Sequence, residues 1–529
     1  MKLKTLATAL LVGAMVAPAA SADVLRMAFS SAPRSIDPYP FGGVPTASLK
    51  EHVYEALVAA DDSPLLSTGW EWTSPLSLTV NLRQGVTFHN GEPFTARDVV
   101  YSSCRMMNLI DGKRNLLTSS MGPVADVVAI DDHTVRFDMK SPYPLWVQKM
   151  KFLSILPASG ADAPEVIKYD ADGNCGITRY PTRDEFDDGP ASIGTGPFKL
   201  VSFDKTGDAV LTRNDDYWGE VSDWEGVEVR SISNAGARLA GLLAGDFDLI
   251  ENPTTEDLPQ LEADPNFGYT AAQSWRTIFL VLNVNGEGAP GISADDGSAP
   301  LADVRVRQAL SLAINRDAIA DRLFKGEATA ANQFAPSYRA GAPELPALEY
   351  NPEKAKALLA EAGYPNGFKM ELYAPSDRYN NGARVAQAVT QFFSRVGVQV
   401  ELKTQPWSVF AAARRNKEMG IFLYGWGHPQ GPAQMISFAF ASRDKELGLG
   451  SSNYSDYQND TFDAAMKAWA VENDDDKANE HLAVAMKQAV ADMPGIPLYY
   501  QHTIWAHRAG LKIVGRQDER THAAMVTKE

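Results

Sequence analysis

A mixed α/β chain with two or more lobes is the fold class predicted by three observations. The chain has 529 residues, more than one hydrophobic core usually organises. Apolar residues recur with strand-like alternation in some stretches and helical spacing in others, interleaved along the whole length. Composition is that of an ordinary globular protein, with 45% hydrophobic and 22% charged residues. The formal net charge of −17 argues against a nucleic-acid partner, because phosphate binding needs a basic surface. No low-complexity tract or clear internal repeat interrupts the pattern.

Met1 to Ala22 has the features of an export leader. Lys2 and Lys4 precede an apolar run from Leu6 to Val16 that is too short to span a bilayer. Ala20-Ser21-Ala22 is a small-residue cleavage site, so the mature chain is expected to begin at Asp23, without a lipid anchor, in an oxidising periplasm. There Cys104 and Cys175 could form a bridge or stay as two buried thiols.

A short strand, Val24 to Phe29, leads into the loop Asp37 to Gly43, where Tyr39 and Phe41 are candidates for ligand contact or for packing. Leu49, Val53, Ala56 and Leu57 share one face of a predicted helix. From Leu78 to Arg83 the chain reads as a strand, Val86-Thr87-Phe88 as its returning partner, and Asn90-Gly91 as a tight turn. Thr95 is placed to cap the helix carrying Val99 and Val100. His89 reads as a turn residue, since no other histidine or cysteine stands at metal-ligand spacing. A strand follows from His133, and the Asp-, Gly- and Pro-rich loop from Tyr169 to Pro190 is expected to be exposed.

Gly194 to Glu220 reads as a hairpin entered through two glycines, which would permit positive φ. Phe198-Lys199-Leu200 runs out, Asp204-Lys205-Thr206-Gly207 turns, and Ala209 to Thr212 returns. Beyond it, Ala237 to Gly245 predicts a short helix, Phe247 to Ile250 a buried strand, and Ser274 to Asn285 a long one. Asn315 caps a second helix after Val306 to Ile314, and Asn351-Pro352 opens another that Gly363 stops. Ile421 to Gly427 reads as a buried strand, and a helix bearing Leu482, Ala485, Met486 and Ala489 precedes the final strand.

Three of these blocks resemble those of the periplasmic solute-binding proteins of family 5, the dipeptide, oligopeptide and nickel receptors that serve ABC importers. They are GTGPFKLVSFDKTGDAVLTRNDDYWGE, LRQGVTFHNGEPFTARDVV and DVRVRQALSLAINRDAI. The resemblance recurs in order from the first strand to about Tyr500. It implies a two-lobed binding protein with an extra subdomain inserted in the first lobe (type II, cluster C-like). Residues 23–50, 195–272 and 494–529 would form the core of lobe I, 51–194 the insert, and 273–493 lobe II. It also implies a monomer that passes its solute to an inner-membrane permease, with no cofactor and no catalysis.

Site residues follow from that resemblance. Arg378, between a strand end and a helix, stands where dipeptide receptors of the family carry an arginine that grips the ligand carboxylate. The alternative is a surface or structural arginine. Many peptide-binding relatives carry an aspartate just after the Gly-Trp matching Gly425-Trp426, where it pairs with the ligand amino group. Here His428 and Pro429 occupy that region and no acid appears until Asp444. A buried ammonium without a counter-charge is costly, so this departure leaves opines, oligosaccharides and nickel chelates open beside peptides. Trp407, Tyr424, Trp426 and His428 are the remaining candidates, with core packing as the alternative for the tryptophans. An exported hydrolase is the competing class, but the chain has no GxSxG or HExxH motif. A chaperone-like binder of unfolded chains is the third.

Overall fold

A computed structural model describes residues 23–108, 121–160, 167–168, 175–427 and 431–529. The leader expected at 1–22 lies outside them. One sheet of 12 strands runs through the described residues. Its main path is Ile292–Ser293, Lys369–Pro375, Ile421–Trp426, Phe267–Leu282, Gly495–Arg508, Leu249–Glu251, Val24–Phe29, Gly226–Ser231, Ala209–Arg213 and Phe198–Phe203. Gln399–Gln405 and Ala328–Ala330 branch from it.

Two strands join the halves of this path. Phe267–Leu282 and Gly495–Arg508 are antiparallel, paired from Phe267 opposite Arg508 to Val281 opposite Gly495. Their register shifts between Gln273 and Thr277, a β-bulge at the crossing. The first of them starts earlier than the expected Ser274 and ends at Leu282 rather than Asn285. Period-2 alternation explains its unbroken apolar run. Ile278, Leu280 and Leu282 enter one core while Phe279 and Val281 enter another on the opposite face. In the other lobe, Met27 and Phe29 face one core and Ala28 a different one.

The insert holds a four-stranded sheet, in the order Ser67–Ser74, Ser77–Leu82, Thr134–Met139, Val124–Asp131. Val86-Thr87-Phe88 does not return along Leu78 to Arg83. It pairs with the residues just after the turn, through a bridge from Thr87 to Pro93 and hydrogen bonds joining Phe88 to Glu92 and Phe94 to Val86. The place beside Ser77–Leu82 goes to Thr134–Met139 instead. Thr95 opens the helix Ala96–Met107, donating its N–H and hydroxyl to the Asp98 carboxylate. Cys104 of that helix is bridged to Cys175, with Cα atoms 6.0 Å apart. The loop from Tyr169 to Pro190 is not exposed throughout. Phe186 and Cys175 are buried in it, while 169–174 lie outside the described residues. The cause is Arg105, whose guanidinium sits 4.3 Å from the Phe186 ring and pairs with buried Asp37 through two hydrogen bonds of 2.8 and 2.7 Å.

The helix expected to reach Leu57 is Val44–Lys50 and ends there. Beyond it, the carbonyls of His52 and Val53 accept hydrogen bonds from Phe198 and Gly196 and so leave the helical ladder. Gly194 and Gly196 are glycines for this reason and not for positive φ, which neither adopts. A Cβ on Gly194 would lie 1.9 Å from the Val53 carbonyl oxygen, and one on Gly196 2.6 Å from that of His52. Glu55 completes the joint, accepting from Thr195, Tyr217 and Trp218 at 2.8 Å each. Burial raises the Glu55 pKa, and these three donors work against the rise. His89 is a structural turn residue. One ring nitrogen accepts from the Gly194 N–H at 3.3 Å and the other lies 2.9 Å from the Gly196 carbonyl oxygen.

Among the described residues no helix is long and apolar enough to cross a membrane. In the second half Asn315 and Asn351 cap Arg316–Phe324 and Pro352–Glu361, accepting from the N–H of Ala318 and Lys354. Gly363, just past the second, has φ +96°.

Candidate solute-binding site

Three consecutive segments converge on one end of the second lobe's strands. Alternation along Ile421–Trp426 puts Tyr424 and Trp426 on the same face, opposite Phe279 and Thr277 of the crossing strand. The strand Lys369–Pro375 ends one residue before Ser376, and Asp377-Arg378-Tyr379 forms the loop that follows. Pro406 fixes the entry to the helix Trp407–Arg415, whose first residue is the indole.

The loop is held at both ends. Asp377 accepts from the Trp407 N–H at 2.7 Å, supplying an acceptor for a free donor at that helix start. The Tyr379 hydroxyl accepts from the Gly425 N–H at 2.8 Å. Burial pushes the Tyr379 pKa up to about 12, so the phenol stays neutral and keeps its proton. Gly425 must be glycine here, because a Cβ would stand 2.5 Å from Ile278 and 2.7 Å from the Tyr379 ring. Arg378, between these two fixed residues, is exposed and lies 5.1 Å from the Trp407 ring centroid. Among the described residues no carboxylate pairs with it.

The rings form one continuous surface. Trp407 and Tyr424 are stacked at 6.3 Å with 15° between their planes, and Trp426 meets Tyr424 edge-on at 5.8 Å. Phe410 stacks on Trp407 from beneath the first helical turn at 5.6 Å. All three candidate rings are only half-buried, so their packing leaves faces free. Arg414, which sequence reading missed, joins them at 4.5 Å from Tyr424 and 5.6 Å from Trp407. It stands seven residues after Trp407, hence on the same face of that helix, and this spacing was the signal for it.

On the bulge of the crossing strand, Arg276 donates to Glu519, with a closest approach of 2.6 Å. Burial opposes the arginine's charge but Glu519 outweighs it, and the pKa is raised. Ser274 and Gln501 also donate to Glu519, so this acid is fully engaged. Gly427 lies against the same arginine; a Cβ there would be 3.5 Å from its Nη2.

The other candidates separate from this cluster. Tyr39 is core: it is buried, its hydroxyl donates to the Ser154 carbonyl, and Arg105 lies 5.3 Å from its ring. Phe41 is half-buried with Arg34 5.7 Å from its ring, and among the described residues no ring contact joins it to Trp407. His428 lies outside the described residues. A cavity of about 600 Å³ opens beside Arg307, Asp456 and Asp492, and it shares no lining residue with the aromatic cluster.

A two-lobed α/β architecture spanned by two strands, with half-buried aromatic rings and an unpaired arginine at strand ends, is the arrangement of a solute-binding protein. The sequence pattern of the bacterial extracellular solute-binding proteins, family 5 middle, matches residues 63–447, and the chain belongs to that family. Heme-binding protein A of Haemophilus influenzae is 28% identical over 458 residues, covering 81% of this chain and 78% of that one. The dipeptide-binding protein of Escherichia coli is also 28% identical, over 499 residues that cover 89% and 88% of the two chains. Among solved structures, the periplasmic binding protein DppA from Helicobacter pylori, in complex with the peptide STSA, superposes with a TM-score of 0.74. It is 25% identical, with 96% of this chain and 98% of that one covered.

Proposed function

We propose that this protein is the periplasmic substrate-binding component of an ABC importer and that it captures a peptide-like solute between its lobes. The observation that carries this reading is Arg378, set between two hydrogen-bonded neighbours and 5.1 Å from the Trp407 ring centroid, with no carboxylate partner among the described residues. A guanidinium fork in that state is ready to take a ligand carboxylate bidentately. Trp407, Tyr424 and Trp426 give the apolar walls; Phe41 would approach them from the other lobe, and His428 from the segment after Trp426. Relatives named as dipeptide-binding and a neighbour holding a peptide support the solute class.

In this reading the leader is removed after Ala22 and the mature monomer works without cofactor or catalysis. Residues 23–50, 195–272 and 494–529 form one lobe, 51–194 its insert and 273–493 the other. Ligand contacts made only in the closed state shift the lobes together and present the permease with its docking surface.

The departure at Gly427 to Pro432, where no acid follows Gly425-Trp426, favours a second reading with a non-peptide solute: an opine, an oligosaccharide or a nickel chelate. Thermal unfolding of the mature chain separates the two. A mixture of dipeptides and tripeptides at a hundredfold its dissociation constant adds about 2.7 kcal/mol to stability and raises the melting temperature. No shift at millimolar peptide, with a shift on one of the other solutes, selects the second reading. Turnover of any of them would replace both with a hydrolase.

A further inference from the structure

Arg414 occupies an unusual electrostatic position. Its guanidinium lies 4.5, 4.9 and 5.6 Å from the rings of Tyr424, Tyr454 and Trp407, three residues from separate segments. Its Nε and Nη1 atoms are shut off from solvent and have no hydrogen-bond acceptor among the described residues. No carboxylate there lies within ion-pairing distance of it either. Gln405, two residues before Trp407, adds a third buried donor without an acceptor, its Nε2.

Ring faces attract a cation by about 0.5–2 kcal/mol, yet they leave N–H groups unsatisfied. Each buried donor without an acceptor costs about 1–3 kcal/mol, so native proteins rarely keep two on one side chain unless something else binds there. The nearby acids are already engaged. Asp377 accepts from the Trp407 N–H, and Glu519 from Arg276, Ser274 and Gln501. The patch around Trp407 therefore carries two guanidinium groups outside any ion pair among the described residues, Arg378 and Arg414, beside one carboxylate, Asp377, in a protein whose formal net charge is −17.

We propose that Arg414 is a second anchoring residue of the solute site and that the solute is an acidic peptide, with a side-chain carboxylate held by Arg414 beside a terminal carboxylate held by Arg378. This rests on the peptide reading above and extends it from a peptide to a dianionic one. Electrostatics agrees with the sequence at Gly427 to Pro432. With two cations outside any ion pair against the one carboxylate of Asp377, the site suits a ligand with more negative groups than positive ones.

Calorimetric titration of the mature chain with two tripeptide mixtures tests this. The mixtures are matched residue for residue and differ only in carrying glutamate or glutamine. The glutamate mixture is expected to bind at least about tenfold more tightly, a charge-assisted contact's worth of affinity. R414Q should abolish that preference, binding the two mixtures with affinities within about threefold of each other. R414K, which keeps the charge on a different geometry, should retain part of it, and it decides the matter if R414Q does not fold. Equal binding of the two mixtures by wild type overturns the inference and leaves the peptide reading standing. So does an equal loss of both mixtures in R414Q and R414K, which would make Arg414 a packing residue of the ring cluster. Binding of neither mixture at millimolar concentration removes the peptide reading and this inference together.

Discussion

The joint between the first lobe and its insert, and the ring cluster of the second lobe, treat charge in opposite ways. Around Glu55 and Arg105 the charged groups are deeply buried and have partners: Glu55 holds three donors, and Arg105 and Asp37 hold each other. Around Trp407 the cations stand over rings outside any ion pair among the described residues, Arg378 exposed and Arg414 half-buried. The first pattern fixes a geometry, because a buried charge tolerates only the arrangement that satisfies it. The second leaves binding capacity unused by the fold, available to a ligand. Motifs by which the chain is related to its family belong mostly to the first region, whereas the proposed function assigns solute choice to the second.

Substitutions can break this contrast, and the largest effect is expected at the joint. Arg105→Ala leaves Asp37 buried without its partner and should cost about 3–5 kcal/mol of stability, read by urea unfolding. Glu55→Ala removes the shared acceptor of one buried and two half-buried donors and should cost about 2–3 kcal/mol by the same measurement. Peptide affinity of the folded fraction should not change in either variant. Trp407→Ala should do the reverse. A half-buried ring costs about 1–2 kcal/mol of stability, while solute affinity falls at least about tenfold in calorimetry.

Titration of the closed region sharpens the comparison. His52 and His522 stack at 3.9 Å in the buried contact between the C-terminal segment and the first lobe. Burial pushes His522 down to about 3 and holds His52 well below the ordinary 6.5. Both are neutral when folded, and the unfolded chain binds more protons below pH 6.5. Their contribution is therefore complete above that pH and is lost as pH falls. Each ring should account for about 1 kcal/mol between pH 6.5 and 5.5. His522→Gln should flatten the fall in melting temperature over that interval, and an unchanged profile would count against a neutral buried pair.

Local chemistry was legible in the sequence where it acts over a few residues. Asn315 and Asn351 cap helices because their side chains reach N–H groups close along the chain, and Thr95 opens one by donating to the Asp98 carboxylate three positions on. The hairpin turn at Asp204 to Gly207 is set the same way, with Gly207 at φ +90°. What escaped depends on partners far along the chain. Gly194 and Gly196 are required by the approach of the Val53 and His52 carbonyls, about 140 positions earlier in the fold's own pairing scale. That same contact ends the helix at Lys50, which apolar spacing alone extends to Leu57. Arg378, Trp407, Tyr424 and Trp426 come together as the sequence analysis grouped them, but Tyr39 turned inward and Arg414 went unseen. Its position shows only once Tyr424 and Tyr454 are folded against the Trp407 helix.

The central claim is that the ring cluster with its unpaired arginine is the solute site. Equilibrium titration of the mature protein and its Arg378→Ala variant with one dipeptide and tripeptide mixture tests it most directly. The account predicts saturable one-to-one binding by wild type, weakened at least about tenfold in the variant while its unfolding midpoint stays put. Saturable binding of equal strength in both proteins would contradict it and place the solute elsewhere in the molecule.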